Sequence, residues 1–208
     1  MSEKLLAAYR DFKRSFDVEA LRTAIEDDGG ETVTLRSLVE LAASGGQWRI
    51  LEQLARSGLR LEESDDFPSV IAEVLLRSPR STVEVTSGLI RLGAGVNTRT
   101  CNEWTPLHVA CWRHQRKVIP VLVAAGADIN ASTGIDDYNT PLMDACELGD
   151  AKTVEVLLDL GADPMILNPY SGKSVHMRFQ NGEFAHQVRE VLADRRTAKR
   201  TKWKSSTR

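Results

Sequence analysis

The stretch from Thr105 to Asn130, TPLHVACWRHQRKVIPVLVAAGADIN, is followed by a second copy, TPLMDACELGDAKTVEVLLDLGADP, that opens thirty-five residues later at Thr140. The interval from the opening threonine to the glycine of the GAD triplet is the same in both, Thr105 to Gly126 and Thr140 to Gly161. A fixed period of this length means one supersecondary unit used repeatedly, each copy burying its apolar face against its neighbours rather than alone. The local chemistry is that of two short helices. The threonine hydroxyl caps the first, and the proline after it stands at the first helical position, where its missing N–H has no partner to lose. Ala110 with Cys111, and Ala145 with Cys146, are small residues where two helices must approach closely. Gly149 stops the first helix of its copy. Val154, Leu157 and Leu158 then recur at helical spacing in the second, as do Val118, Leu122 and Val123 one copy earlier.

These residues resemble the ankyrin repeat, whose period is about 33 residues and whose signature TPLH opens the first of two antiparallel helices. The resemblance implies an all-α solenoid of stacked helix-turn-helix units joined by β-hairpin loops. In its frame the first full repeat runs from Ser37 to Gly58, with Ala42 and Ala43 as the small pair and Gly46 at the turn. A second, from about Asp66 to Asn97, fits only in its closing half, and Ser78-Pro79 suggests a longer turn between its helices. A last one spans Lys173 to Leu192, with His176 in the motif histidine position and Gly182 at the turn. That makes about five repeats over residues 35–194. Residues 1–34 read as an N-terminal helical cap of two segments, the first with Leu5, Leu6, Tyr9 and Phe12 inward, the second capped by Asp17 and stopped at Gly29 and Gly30. Residues 195–208 form a basic tail too polar to pack, expected to be disordered. Pro120 should kink the second helix of its repeat unless it lies in the first turn.

Composition excludes several classes. With 42% hydrophobic and 27% charged residues among 208, the chain has ample material for a core. No run approaches the roughly 18 apolar residues of a membrane span, and the N-terminus has charges where a signal peptide needs its apolar core. Three cysteines without CxxC spacing fit a reducing compartment. The expected location is cytoplasmic, with the nucleus as the other choice. Net charge is −2, but seven Lys or Arg and no acid follow from Arg195 onward, so the body carries about −9.

Candidate chemistry reads mostly as scaffold. His108, Cys111 and His114, with Cys101 upstream, have the residue types of a zinc site, but Cys111 falls in the small-residue slot, and the resemblance makes His108 the histidine that bonds a neighbouring loop. Ser171-Gly172-Lys173-Ser174 has the tail of a phosphate-binding loop, yet Leu167 stands where its first glycine belongs. No nucleophile, paired-carboxylate or metalloprotease pattern appears, so the chain is expected not to be an enzyme and to hold no metal and no cofactor.

The resemblance implies instead a binding surface made of hairpin tips and the exposed ends of the first helices. The hairpins offer Asn102, Glu103 and Trp104, then Asp136, Asp137, Tyr138 and Asn139, then Tyr170 and Ser171; the helix ends offer Trp112, Arg113, Glu147 and Leu148. From these, Trp104, Trp112, Arg113, Asp136, Asp137, Tyr138, Glu147 and Tyr170 are the expected partner-binding residues, an aromatic and arginine-containing mix of the kind that dominates interfaces. The hairpin between the two clear copies is two residues longer than its predecessor, ten steps from Asn130 to Thr140 against eight from Asn97 to Thr105, which carries Asp136 and Asp137 outward. A partner with an apolar anchor and basic flanks would suit this tip. Trp48, at the start of a second helix, is assigned to the core. The expected function is a monomeric protein-protein interaction module, acting as an adaptor, an inhibitor, a toxin-neutralising protein or an effector. The rival reading makes the basic tail, with Trp203 available to stack, a nuclear signal or nucleic-acid contact, since the acidic body repels phosphate.

Overall fold

A computed structural model describes residues 3–15, 17–27, 31–44, 47–56, 60–61, 69–77, 83–134 and 137–193. It divides into two compact units, residues 1–101 and 102–208. The expected stops at Gly29 and Gly30, the Gly46 and Ser78-Pro79 turns, Asp136 and the basic tail with Trp203 all lie outside the described residues, as does the side chain of Trp48.

In the first unit, helices α1 (Glu3–Ser15) and α2 (Val18–Asp27) pack on each other, and α2 leans on α3 (Glu31–Ser44). Leu5, Tyr9 and Phe12 of α1 are buried, while Leu6 is 36% exposed and flanks that face. Asp17 caps α2 as expected, its Oδ1 accepting from the Ala20 N–H at 3.1 Å. Helices α4 (Trp48–Arg56), α5 (Val70–Arg77) and α6 (Val83–Arg91) complete two helix pairs, α3 packing on α5 and α4 on α6. First helices thus stack on first helices and second on second, the arrangement of a solenoid. The α4–α6 approach depends on Gly88, where a Cβ would come within 3.1 Å of the Leu51 Cβ. Helix α3 starts at Glu31, so Ser37 lies inside the helix rather than at its opening. The residues that replace TPLH there include no proline to fix the start, and the helix extends past the motif position.

The second unit repeats the plan with better-formed caps. Helices α7 (Pro106–Trp112), α9 (Pro141–Glu147) and α11 (Val175–Gln180) stack in sequence, while α8 (Ile119–Ala124) packs on α10 (Ala151–Asp159). A last helical stretch, α12, covers 186–193 and buries Val188 and Leu192. Thr105 and Thr140 both cap through their hydroxyls. Pro120 falls within the first turn of α8, where no hydrogen bond is lost, and the feared kink has no cause. Gly126 and Gly161 close their copies at φ of 95° and 98°, a conformation that glycine adopts without strain. Among the described residues no strand forms. The hairpins are loops, marked by one antiparallel bridge between Leu167 and Ser174.

The last repeat is displaced by one residue from its expected register. Ser174, not Lys173, caps α11, accepting from the Met177 N–H, so Met177 rather than His176 holds the motif histidine position. His176 is half-buried and faces Gln180. The cap decides the register here: a serine hydroxyl can accept the orphan N–H at the helix start, and a lysine ammonium cannot.

Candidate functional site

Hydrogen bonds between successive copies hold the hairpins of the second unit. His108 is fully buried; its Nδ1 meets the Thr105 hydroxyl at 2.8 Å and accepts the Thr105 N–H. Its Nε2 lies 3.0 Å from the Asn139 carbonyl, which can only accept, so Nε2 carries the proton. Asn139, expected on the displayed surface, is instead 4% exposed. Its amide donates to Glu147 and its Oδ1 accepts from Asn168, whose own amide also reaches the Asp137 carbonyl. Asn168 Oδ1 in turn accepts the Tyr170 and Ser171 N–H groups. Two buried asparagines therefore fix both hairpin tips. Asn130 also reaches the next copy, its Oδ1 accepting the Asp163 N–H.

The expected partner-binding residues fall into two groups. Trp104, half-buried, and Trp112, 45% exposed at the end of α7, meet edge to face with centroids 5.8 Å apart and planes at 61°. The Arg113 guanidinium lies 5.9 Å from the Trp112 ring centre. Such a pairing holds the exposed indole in one orientation while leaving its surface to solvent. In the second group, Asp137, Glu147 and Tyr170 line a cleft of about 290 Å³ together with Asn139, Asn168, Ser171, Lys173, Arg178 and Glu183. Tyr138 stands exposed at the adjacent tip with a left-handed backbone, φ 50°.

Charges in the cleft are mostly paired. Arg178 donates to Glu147 at 2.6 Å and to Glu183 at 3.0 Å, and stacks 4.9 Å from the Phe184 ring. Burial alone would push its guanidinium down, but the two carboxylates outweigh this and raise it. Lys173 bonds Glu183 at 2.9 Å, and the hydrogen bonds from Lys173, Asn181 and Arg178 hold that carboxyl at about 2. Asp144, on α9, is raised to about 7 by burial and by the charges of Glu147 and Asp137, against a hydrogen bond from Asn139 that lowers it. The Asp137 carboxylate has no hydrogen-bond or ion-pair partner among the described residues.

Other groups with chemical potential are committed to structure. Burial drives the Cys146 thiol to about 12 and the Cys111 thiol well above its ordinary value, so neither is a nucleophile. His114 is bonded to Asp150. Among the described residues, no helix is long and apolar enough to cross a membrane.

Lys173, Arg178, Glu183 and Asn168 were not anticipated in this cleft. The one-residue register shift of the last repeat hid Arg178, which occupies the position of Val109 and Asp144 in the earlier copies. The contrast of two charged residues with a valine at one frame position was the available signal.

Comparison with known proteins gives a match to the ankyrin-repeat model, three copies over residues 81–168. The chain is 28% identical over 144 residues to Transient receptor potential cation channel subfamily A member 1 from Homo sapiens, covering 68% of this chain and 12% of that protein. It is 34% identical over 95 residues to Ankyrin repeat and SOCS box protein 11 from Danio rerio, 46% of this chain and 30% of that one. With BCL-6 corepressor-like protein 1 from Homo sapiens it shares 35% over 79 residues, 38% and 4% respectively. The chain thus spans less than a third of each of these relatives.

Proposed function

We propose that this chain, whose residues 81–168 match three ankyrin repeats, is a non-enzymatic module binding another protein through its hairpin tips and first-helix ends. One observation carries the reading: Trp112 is 45% exposed, yet its ring is fixed between Trp104 and Arg113. An exposed, oriented indole supplies a large contact area at little cost in side-chain entropy, the character of an interface anchor. Tyr138 and Tyr170 add aromatic surface at the following tips, at 39% and 82% exposure. The relatives are by name a cation channel, an ankyrin repeat and SOCS box protein and a corepressor-like protein, and similarity to such different proteins supports reading the shared stretch as a module. Three unpaired cysteines support a reducing location, cytoplasmic or nuclear.

Affinity capture from a native extract tests the proposal. Wild-type protein should retain a partner that the Trp104→Ala, Trp112→Ala double variant loses, with both proteins equally folded by circular dichroism. Undiminished capture by the variant would remove this face from the interaction.

A further inference from the structure

Three hairpins of the second unit turn at homologous positions two residues before a helix cap: Glu103, Tyr138 and Gly172, with φ of 60°, 50° and 67°. Glycine holds this left-handed conformation freely, whereas glutamate and tyrosine are strained by about 1 kcal/mol or more. Two of the three tips thus keep a large side chain at an energetic cost, which draws attention to what stands beside them.

Beside Tyr138 stands Asp137, on the rim of the cleft. The two cations of that cleft are both engaged, Lys173 with Glu183 and Arg178 with Glu147 and Glu183. Two cations therefore face three lining carboxylates, and Asp137 is the one left over. A fourth carboxyl, Asp144, senses the same excess, since the charges of Glu147 and Asp137 help to keep its proton on. Tyr170, also lining the cleft, is 82% exposed. The space, about 290 Å³, is at or below the small end of the range for drug-sized ligands, roughly 300–1,000 Å³. It suits a single long side chain. Two of its lining residues, Asn139 and Asn168, are buried and held by hydrogen bonds.

We propose that this cleft receives a lysine or arginine side chain from an extended segment of the partner protein, the cation seating against the Asp137 carboxylate and its stem lying along the Tyr170 ring. The inference rests on the reading of this face as protein-binding and specifies one element of the partner. A cation completes the charge balance of the cleft without displacing the existing pairs, whereas an anion would meet the Asp137 carboxylate. Long basic side chains also bury their methylene stems on apolar surface while keeping the charge at a polar end, which matches a lining that holds both a tyrosine ring and a carboxylate.

The probe is N-acetyl tetra-arginine amide, with the citrulline counterpart, equal in shape and uncharged, as control. Calorimetric titration should show binding of the arginine peptide that weakens about tenfold in Asp137→Asn and several-fold in Tyr170→Ala. Glu155→Gln, which removes an exposed charge on α10 outside the cleft, should leave it unchanged, and the citrulline peptide should bind at least tenfold more weakly. Asp137→Asn keeps the backbone carbonyl that holds Asn168, so the cleft survives the change. Absence of arginine-peptide binding, equal losses in Asp137→Asn and Glu155→Gln, or equal binding of the citrulline peptide overturns the inference. The tryptophan double variant separates the two readings: partner capture that fails with it but persists in Asp137→Asn keeps the module and discards the cation pocket.

Discussion

His114 donates from Nδ1 to the Asp150 carboxylate at 2.7 Å, joining the turn after α7 to the cap of α10 in the next copy. His114 holds this position with φ 55°, where the corresponding residue of the next copy is Gly149 at φ 70°. The bond offsets the strain of a histidine in a glycine position. Asp150 also caps α10 by accepting from the Thr153 N–H and hydroxyl, and Arg116 lies 3.4 Å away. Burial pushes its carboxyl up, but these partners prevail and leave it at about 2. Asp150→Ala should therefore cost about 2 kcal/mol at neutral pH, a lost cap plus a lost charge-assisted bond. A carboxyl lowered in the folded state stabilises fully above its unfolded value and loses that effect as pH falls through its folded value. The gap in urea midpoint between wild type and variant should close between pH 4 and pH 2.

Asp144 titrates the other way. It occupies the frame position of the buried Val109, and its carboxyl is raised from 3.8 to about 7. A raised carboxyl binds its proton more tightly folded than unfolded, so its ionisation destabilises the fold progressively as pH climbs from about 4 to about 7. The penalty is constant above that. Asp144→Asn should match wild type near pH 4 and exceed it at pH 8 by on the order of 2 kcal/mol. Chemical denaturation at the two pH values decides the matter, and equal stability at pH 8 would contradict it.

Tyr138→Gly should separate stability from binding. Removing a side chain from a left-handed position relieves strain, and after the added freedom of the unfolded glycine the net gain is about 0.5–1 kcal/mol. Partner capture should fall at the same time. Thermal melting and capture measured on one preparation would show the two moving in opposite directions.

Thr86 lies in α6 with no exposed surface, and its hydroxyl has no hydrogen-bond partner among the described residues. Valine has the same shape without the unsatisfied group. Thr86→Val should raise stability by about 1 kcal/mol, read as a higher urea midpoint at unchanged slope.

Much of the second unit was legible in the residues themselves. Thr105 with Pro106, and Thr140 with Pro141, start their helices where the motif puts them, because cap chemistry and proline geometry act locally. The ends of the motif at Gly126 and Gly161 follow from backbone freedom alone. Where local chemistry weakens, the reading slips: without a proline, α3 runs back to Glu31, and a choice between Lys173 and Ser174 shifted the last repeat by one. The cleft was the least legible part. Asn139 and Asn168 look like loop surface, since asparagine in a turn usually is; only their contacts with residues about thirty positions away make them interior. Pairing at such separation leaves no local pattern to read.

Those contacts give the second unit a direction. His108 owns a buried ring N–H that donates to the Asn139 carbonyl of the copy that follows, and the Asn130 Oδ1 likewise takes its donor, the Asp163 N–H, from further on. The first clear copy is thus finished by its successor, and a cut between Asn130 and Asn139 would remove the acceptor that the His108 Nε2 uses. The matching frame positions of the next two copies hold Met143, buried, and Met177, 46% exposed, whose thioethers ask for no acceptor at all. This histidine bond is handed on once, from the first clear copy to the second, and the next hairpin is held to its neighbour by the Asn168–Asn139 pair instead.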